Sequence, residues 1–160
     1  MSNEAELKSK FWKALKSDRT VMLGLVGEDD GGQPMTAQLE SDEGGPVWFF
    51  TAADNDLVEA TGSRRRALIH FASKGHDLFA TVDGDLSVSS DRATIDRLWN
   101  PFVAAWFTGK DDPKIRLLRF DPREGQVWLN ENSLFAGLKM LLGADPKQDY
   151  ADKTGEVRLN

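Results

Sequence analysis

The chain of 160 residues contains no cysteine and only two histidines, His70 and His76. Without cysteine it can form no disulfide, no thiolate nucleophile and no thiolate metal site. Two histidines are too few for a histidine-rich metal cage, although carboxylates could still hold a hard cation. These absences leave a short list of side chains for nucleophilic or metal-based catalysis.

Long apolar runs are also missing from the sequence. Hydrophobic residues make up 40% and charged residues 29% of the chain, and no apolar stretch approaches the length of a membrane-spanning helix. The first ten residues, MSNEAELKSK, lack the apolar core of a signal peptide. We therefore expect a soluble globular protein in the cytoplasm, with no membrane partner.

Basic residues are fewer than acidic residues in this chain. Twenty lysines and arginines face 26 aspartates and glutamates, which gives a formal net charge of -6. This balance opposes attraction to phosphate backbones, so nucleic acid is not expected as a partner. The one basic run, Arg64 to Arg66, either complements the end of a preceding helix, stays solvated or binds an anion such as phosphate.

Short β-strand patterns separated by glycine-rich turns are abundant. After an amphipathic helix over residues 4–17, strands at 20–28, 34–41 and 46–51 are joined by turns of hairpin length, DDGGQ and SDEGG, and predict an antiparallel meander. A short helix is predicted in DNDLVEATGS, followed by strands in RALIHFAS and DLFATVDGDLSVSS, with DGD as a turn or bulge. Helices are then predicted in RATIDRLW and PFVAAWF. The remaining elements are a last hairpin formed by KIRLLRFDP and GQVWLN and a closing helix, SLFAGLKMLLG. No helix-length crossover joins the early strands, so the pattern favours a nearly closed antiparallel barrel in one domain over residues 1–160.

Side chains with acid–base capacity are few and lie in turn sequences. The pairs Asp29–Asp30 and Asp111–Asp112 occur in polar turns, where solvated carboxylates are favoured over a catalytic pair or a cation site. His70 alternates with apolar neighbours in a strand and His76 lies in a turn, without a partner nearby in the sequence. These groups predict no catalytic site.

Tryptophan is over-represented, with five residues against one tyrosine. Tryptophan favours interfaces and sites that bind flat rings. We predict that Trp12, Trp48 and Trp99 fill core or dimer contacts, while the roles of Trp106 and Trp128 stay open.

Four segments taken together resemble the pyridoxamine 5′-phosphate oxidase-like proteins, in particular their bacterial general stress protein branch. The segments are QPMTAQL, VWFFTAADNDLVE, DRATIDRLWNPFVAAWFTGKDDPKIRLLRFDP and QVWLN. The resemblance implies a mainly β fold, a six-stranded antiparallel split β-barrel of Greek-key type with flanking helices. It also implies a homodimer with flavin mononucleotide (FMN) at two interface sites, and a flavin-dependent oxidoreductase activity on an unknown substrate.

The same resemblance assigns the residues of the flavin site. Backbone groups on one strand would meet the edge of the isoalloxazine ring, and two residues on the neighbouring strand would act as further ligands. Asn55 matches a family serine near the phosphate, and Trp128 matches an aromatic residue that the second subunit places near the flavin. The residues implied on the two strands are Met35, Thr36, Ala37, Phe50 and Thr51.

Departures from the family pattern fall where the phosphate would be held. Gln33 replaces a common arginine, while Asp56 and Leu57 replace an arginine and a lysine, so Leu57 belongs to the candidate cofactor-binding residues. Loss of cationic partners weakens phosphate binding unless another cation substitutes. We therefore hypothesise that Arg65 or Arg66 reaches the phosphate.

Alternative ligands and activities follow from these departures. The barrel would then hold FAD, a deazaflavin or haem, or no cofactor, and would act as a non-catalytic flavin-binding or sensing stress protein. After Trp128 the chain reads LNENSLFAG, without the Arg-x-His of the family's pyridoxal-type sites. Pyridoxamine phosphate oxidase activity itself is therefore not expected.

Overall fold

The computed structural model of this protein describes residues 4–29, 31–130 and 154–160. The helices in these residues are α1 Glu4–Asp18, α2 Asp56–Thr61, α3 Arg92–Leu98 and α4 Pro101–Ala104. The strands are β1 Thr20–Leu25, β2 Gln33–Thr36, β3 Val47–Ala52, β4 Arg65–Ala72, β5 Leu78–Ser89, β6 Ile115–Leu129 and β7 Thr154–Arg158. The predicted closing helix SLFAGLKMLLG lies outside the described residues.

Local sequence signals explain where the helices begin and end. The side chain of Asn55 accepts a hydrogen bond from the backbone N–H of Leu57 and caps the start of α2, and Gly62, with a φ of 59°, caps its C-terminus. Asp91 caps α3 through the backbone N–H of Thr94. The helices predicted at these positions are confirmed, although only the first four residues of PFVAAWF are helical. Every helix within the described ranges is too short or too polar to span a bilayer.

The strands of the described residues belong to one antiparallel sheet that nearly closes on itself. Six follow the order β2-β1-β4-β5-β6-β3, and β7, which the sequence did not predict, pairs with β6 beside this path. An isolated bridge joins Gln38, just after β2, to Trp48 of β3 and brings the two ends of the path together. We call the gap between β2 and β3 beyond this bridge the seam. The predicted antiparallel split barrel with flanking helices is confirmed.

Two predicted strand connections are wrong. The third strand does not continue a meander, because β3 pairs with β6 over its whole length and meets the β2 side only at the Gln38–Trp48 bridge. The last hairpin is one continuous strand, β6, although FDPREG contains turn-forming residues. Asp83 opposes Glu124 and Gly84 opposes Pro122, so β6 carries one extra residue between these pairs. Proline is tolerated at such a bulge, and the predicted DGD irregularity is confirmed.

The main core fills the barrel interior and is covered by α1. Phe49 of β3 and Phe120 of β6 are fully buried inside it, among the inward-facing residues of the other strands. On α1, Phe11 and Trp12 are each 1% exposed and pack edge to face. The interpretation of Trp12 as a core residue is confirmed, since burial of these rings fixes the helix on the barrel.

A second apolar cluster lies on the other face of β3, under α3. Trp48 is 5% exposed and packs with buried residues of α3 and β6, while Trp99 and Phe107 pack against this cluster from the helix side. Phe50 shares the face with Trp48, as the period of two in a strand requires. This cluster positions the segment after α3 beside the seam.

Candidate functional site

A cavity of about 440 Å³ occupies the seam, and we call it the seam cavity. Its walls are β2, the end of β3, the start of the α2 connection, and α4 with the turn after it. Its lining residues are Thr20, Gln33, Pro34, Met35, Thr36, Gln38, Phe50, Thr51, Ala52, Asn55, Phe102, Val103, Trp106 and Phe107. This volume lies in the range of small-molecule and cofactor sites.

The backbone of β2 turns some of its polar groups toward the seam. The N–H of Ala37 donates to Arg19 on the β1 side, whereas the N–H of Gln38 donates to Trp48 on the β3 side. Because neighbouring residues of a strand point their backbone groups to opposite edges, the N–H and C=O of Thr36 also point toward β3. The split therefore offers a backbone donor and acceptor inside the seam cavity.

A hydrogen-bonded set of three polar side chains forms one end of the seam cavity. The Nδ2 of Asn55 lies 3.2 Å from Oε1 of Gln33 and 2.9 Å from Oγ1 of Thr51. Its Oδ1 accepts the backbone N–H of Leu57 at 2.8 Å. The cap of α2 thus fixes the Asn55 side chain, which in turn orients Gln33 and Thr51.

Aromatic rings form another part of the lining. Phe102 and Trp106 are 75% and 83% exposed, unusual values for large apolar side chains. Behind them, Trp99 contacts Phe50 edge to face with ring centroids 6.1 Å apart, and it lies 6.4 Å from Phe107. The inner rings are packed and the outer two are open to solvent, so this wall presents flat apolar surface to a ligand.

The turn that carries Trp106 and Phe107 is held by Asp112. Its carboxylate accepts the backbone N–H of Lys114 at 2.9 Å and that of Thr108 at 3.1 Å. These hydrogen bonds, the one from Lys114 first, hold the pKa of Asp112 below its usual value. The sequence predicted Asp111 and Asp112 only as solvated carboxylates in a turn. It did not predict that Asp112 holds the turn through these hydrogen bonds.

Acidification is expected to loosen this turn. The folded-state pKa of Asp112 is lower than the unfolded value, so the stabilisation is present above the unfolded pKa and is lost as the pH falls through the folded pKa. The amide proton shifts of Thr108 and Lys114, followed by NMR, should move together with a midpoint below the ordinary pKa of an aspartate. In Asp112→Ala this step should vanish. A wild-type midpoint at or above the ordinary pKa of an aspartate would contradict the assignment.

The structure brings five of the predicted site residues together in the seam cavity and leaves five outside its lining. Inside are Met35, Thr36, Phe50, Thr51 and Asn55. Outside are Ala37, Leu57, Arg65, Arg66 and Trp128. Ala37 and Leu57 are buried in the main core, and Trp128 is half-buried on the outer face of β6, opposite Phe79. The assignment of all ten to a cofactor stays a prediction.

The three arginines each face a carboxylate. Arg66 binds Asp83 through two nitrogens on the outer face of the sheet, and Arg65 donates to Glu28 at 3.2 Å. Arg64 donates to Asp85 at 2.8 Å, and this hydrogen bond lowers the pKa of that carboxyl. None of the three lines the seam cavity. The hypothesis that Arg65 or Arg66 reaches a phosphate stays a prediction.

Several lining residues were not identified from the sequence as site residues. Phe102 of α4 and Trp106 of the turn after it are two large rings four positions apart in the apolar segment PFVAAWF. That pattern was a usable signal for a binding wall. Gln33 was recognised only as a departure from the family pattern, and Asp29 is exposed while Asp30 lies outside the described residues.

A nearly closed antiparallel sheet with a cavity at its seam defines the chain as a split-barrel protein. Residues 6–151 match the family described as Pyridoxamine 5′-phosphate oxidase like, and the chain belongs to that family. The resemblance inferred from the four sequence segments is therefore confirmed.

Solved structures of similar proteins support the same fold. A general stress family protein from Xanthomonas campestris pv. campestris is 59% identical, with 83% of this chain and 93% of that chain covered and a TM-score of 0.78. The general stress FMN/FAD binding protein from Xanthomonas citri is 60% identical, with 80% and 92% covered and a TM-score of 0.76. A general stress protein 26 from Jannaschia sp. CCS1 is 31% identical, with 98% and 99% covered and a TM-score of 0.83.

Proposed function

We propose that the chain, as one domain over residues 1–160, binds a flavin in the seam cavity and acts as a flavin-dependent oxidoreductase. The observation that carries the proposal is the seam cavity itself, which combines exposed aromatic rings with backbone groups of β2 turned into the gap. A flat ring system with a polar edge needs this combination. The similarity to an FMN/FAD binding protein of Xanthomonas citri supports the choice of a flavin.

The residues present fit the ring system of a flavin. Thr36 would supply a backbone donor and acceptor to its polar edge, while Phe50 and Trp106 would bind its apolar faces. The bound flavin would supply the hydride or electron transfer. The side chains of this chain would hold the ring and exclude water, since no lining residue of the cavity is an acid, a base or a thiol.

A second copy of the chain is proposed to complete the site. Met22 and Phe79 are 42% and 38% exposed on the outer face of the sheet. Phe79 lies opposite Trp128, the residue that the family resemblance places near the flavin of a partner. Exposed apolar residues grouped on a sheet face favour association. A homodimer would therefore account both for the exposure of Phe79 and for the proposed role of Trp128.

The proposal is tested on the purified full chain. We expect a yellow protein, or a colourless one that quenches the fluorescence of added FMN, with a mass of two chains by light scattering. Protein that binds neither FMN nor FAD would overturn the proposal. Reduction of the bound flavin by a nicotinamide donor, followed as bleaching of its absorbance, would support the oxidoreductase assignment.

A non-catalytic flavin-binding or sensing protein is the second candidate. It is favoured by the uncharged lining of the seam cavity, which offers no general acid or base to a substrate. Flavin that binds but is not turned over by nicotinamide donors would support this candidate over the enzyme.

A further inference from the structure

The polar end of the seam cavity has a hydrogen-bonding pattern that the backbone determines. The N–H of Leu57 can only donate, so the atom 2.8 Å away on Asn55 must be the carbonyl oxygen. The amide nitrogen of Asn55 then faces Gln33 and Thr51, at 3.2 and 2.9 Å. Because an amide nitrogen only donates, the Gln33 atom that faces it must be the carbonyl oxygen Oε1.

This pattern leaves donors at the cavity. The carbonyl oxygen of Gln33 is occupied by Asn55, so its amide nitrogen keeps its hydrogens for a ligand, and the hydroxyl of Thr51 keeps its own hydrogen. Within the described ranges, neither group donates to another protein atom. Both residues line the cavity. Its polar end therefore offers hydrogen-bond donors that carry no charge.

The rest of the lining carries no formal charge either. None of the fourteen lining residues is a lysine, an arginine, an aspartate or a glutamate. The two arginines proposed for the phosphate lie outside this lining, where Arg65 binds Glu28 and Arg66 binds Asp83. Neutral donors bind a phosphate without the Coulomb attraction of a cationic side chain and without the bidentate geometry of an arginine.

We infer that the seam cavity recognises the uncharged part of a flavin, with Gln33 as the residue that determines this specificity, and that the phosphate contributes little to affinity. The ligand class is then a neutral flavin such as riboflavin, bound about as tightly as FMN. This inference rests on the proposed function, because it concerns the same cavity and the same ring system. Its physical basis is the absence of any cation from the fourteen residues that one copy of the chain contributes to the cavity.

The test compares riboflavin and FMN binding to the full chain by fluorescence quenching at low and high salt. We expect the two dissociation constants to differ by less than about threefold, and their ratio to stay constant between about 50 and 500 mM salt. In Gln33→Arg the ratio should shift toward FMN by about tenfold, and salt should reverse that shift. Gln33→Met, similar in length and uncharged, is the matched control and should change both affinities equally.

Two results would overturn the inference, and they are distinguishable. In the first, the wild-type chain binds FMN about 30-fold or more tighter than riboflavin, with a steep salt dependence. This result would show that a cation binds the phosphate, and it would leave the proposed function intact. Failure of both flavins to bind would remove the proposed function and the inference together.

Discussion

Replacing Gly84 by alanine is expected to lower the free energy of unfolding by about 3 kcal/mol, or the melting temperature by roughly 6–12 °C. A Cβ at Gly84 would lie 2.5 Å from the carbonyl oxygen of Asp121 and 2.6 Å from the ring of Phe120. The first is backbone of the neighbouring strand, and Phe120 is fully buried, so neither can move without disturbing the β5–β6 bulge. Thermal unfolding followed by circular dichroism measures the effect.

Gly109 provides the matched control for this substitution. A Cβ at Gly109 would meet no atom within 4 Å, and its φ lies outside the left-handed region. Gly109→Ala should therefore change the free energy of unfolding by less than about 0.5 kcal/mol. Equal melting temperatures for Gly84→Ala and Gly109→Ala would show that the bulge tolerates a side chain and would refute the packing argument.

Replacing Thr36 by proline is expected to weaken flavin binding about tenfold or more while the chain stays folded. The substitution removes the backbone N–H that points into the seam. The flavin acceptor that this N–H would bind is then left without a donor, which lowers the binding free energy by about 1–3 kcal/mol. Proline fits there structurally, because Pro34 already occupies the same edge of β2 two residues earlier. Fluorescence quenching of added FMN and thermal unfolding, measured side by side, separate binding from stability.

Two further variants make this test specific. Thr36→Val keeps the N–H and the strand-forming shape, so it should bind flavin nearly as the wild type does. Met35→Pro removes an N–H that the alternation points toward β1, so it should lower the melting temperature instead. Unchanged flavin affinity in Thr36→Pro would remove the backbone of β2 from the proposed site.

Elements defined by residues close together in the sequence were the ones that could be predicted. The cap at Asn55 and the stop at Gly62 marked α2, and the spacing of Phe11 and Leu15 marked the buried face of α1. The strands β1 and β5 lie within predicted segments, and β2 and β4 begin one residue before theirs. Each of these depends on capping, helical spacing or alternation within a few residues, and the structure uses the same contacts.

The prediction of strand pairing failed where residues distant in the sequence determine which strands pair. DPREG favours a turn on its own, yet pairing of β6 with β5 along its length outweighs that preference and leaves a bulge beside Gly84. The partner of β3 was mistaken for the same reason, since turn length suggests a hairpin with β2 and the actual ladder is formed with β6, which begins more than sixty residues later. Strand pairing depends on the whole sheet, which a local pattern does not contain.

The sequence by itself determined the composition limits, the capping residues of α2 and α3, the antiparallel character and the family of this protein, because these depend on local chemistry and on the similarity of whole segments. The tertiary structure alone decided that the sheet splits between β2 and β3. It also decided that Gln33, Thr51 and Asn55 meet at one end of the resulting cavity and that the arginines lie outside its lining. These three polar residues come from separate segments, so their meeting, and the uncharged character of the cavity, follow from the way the barrel closes.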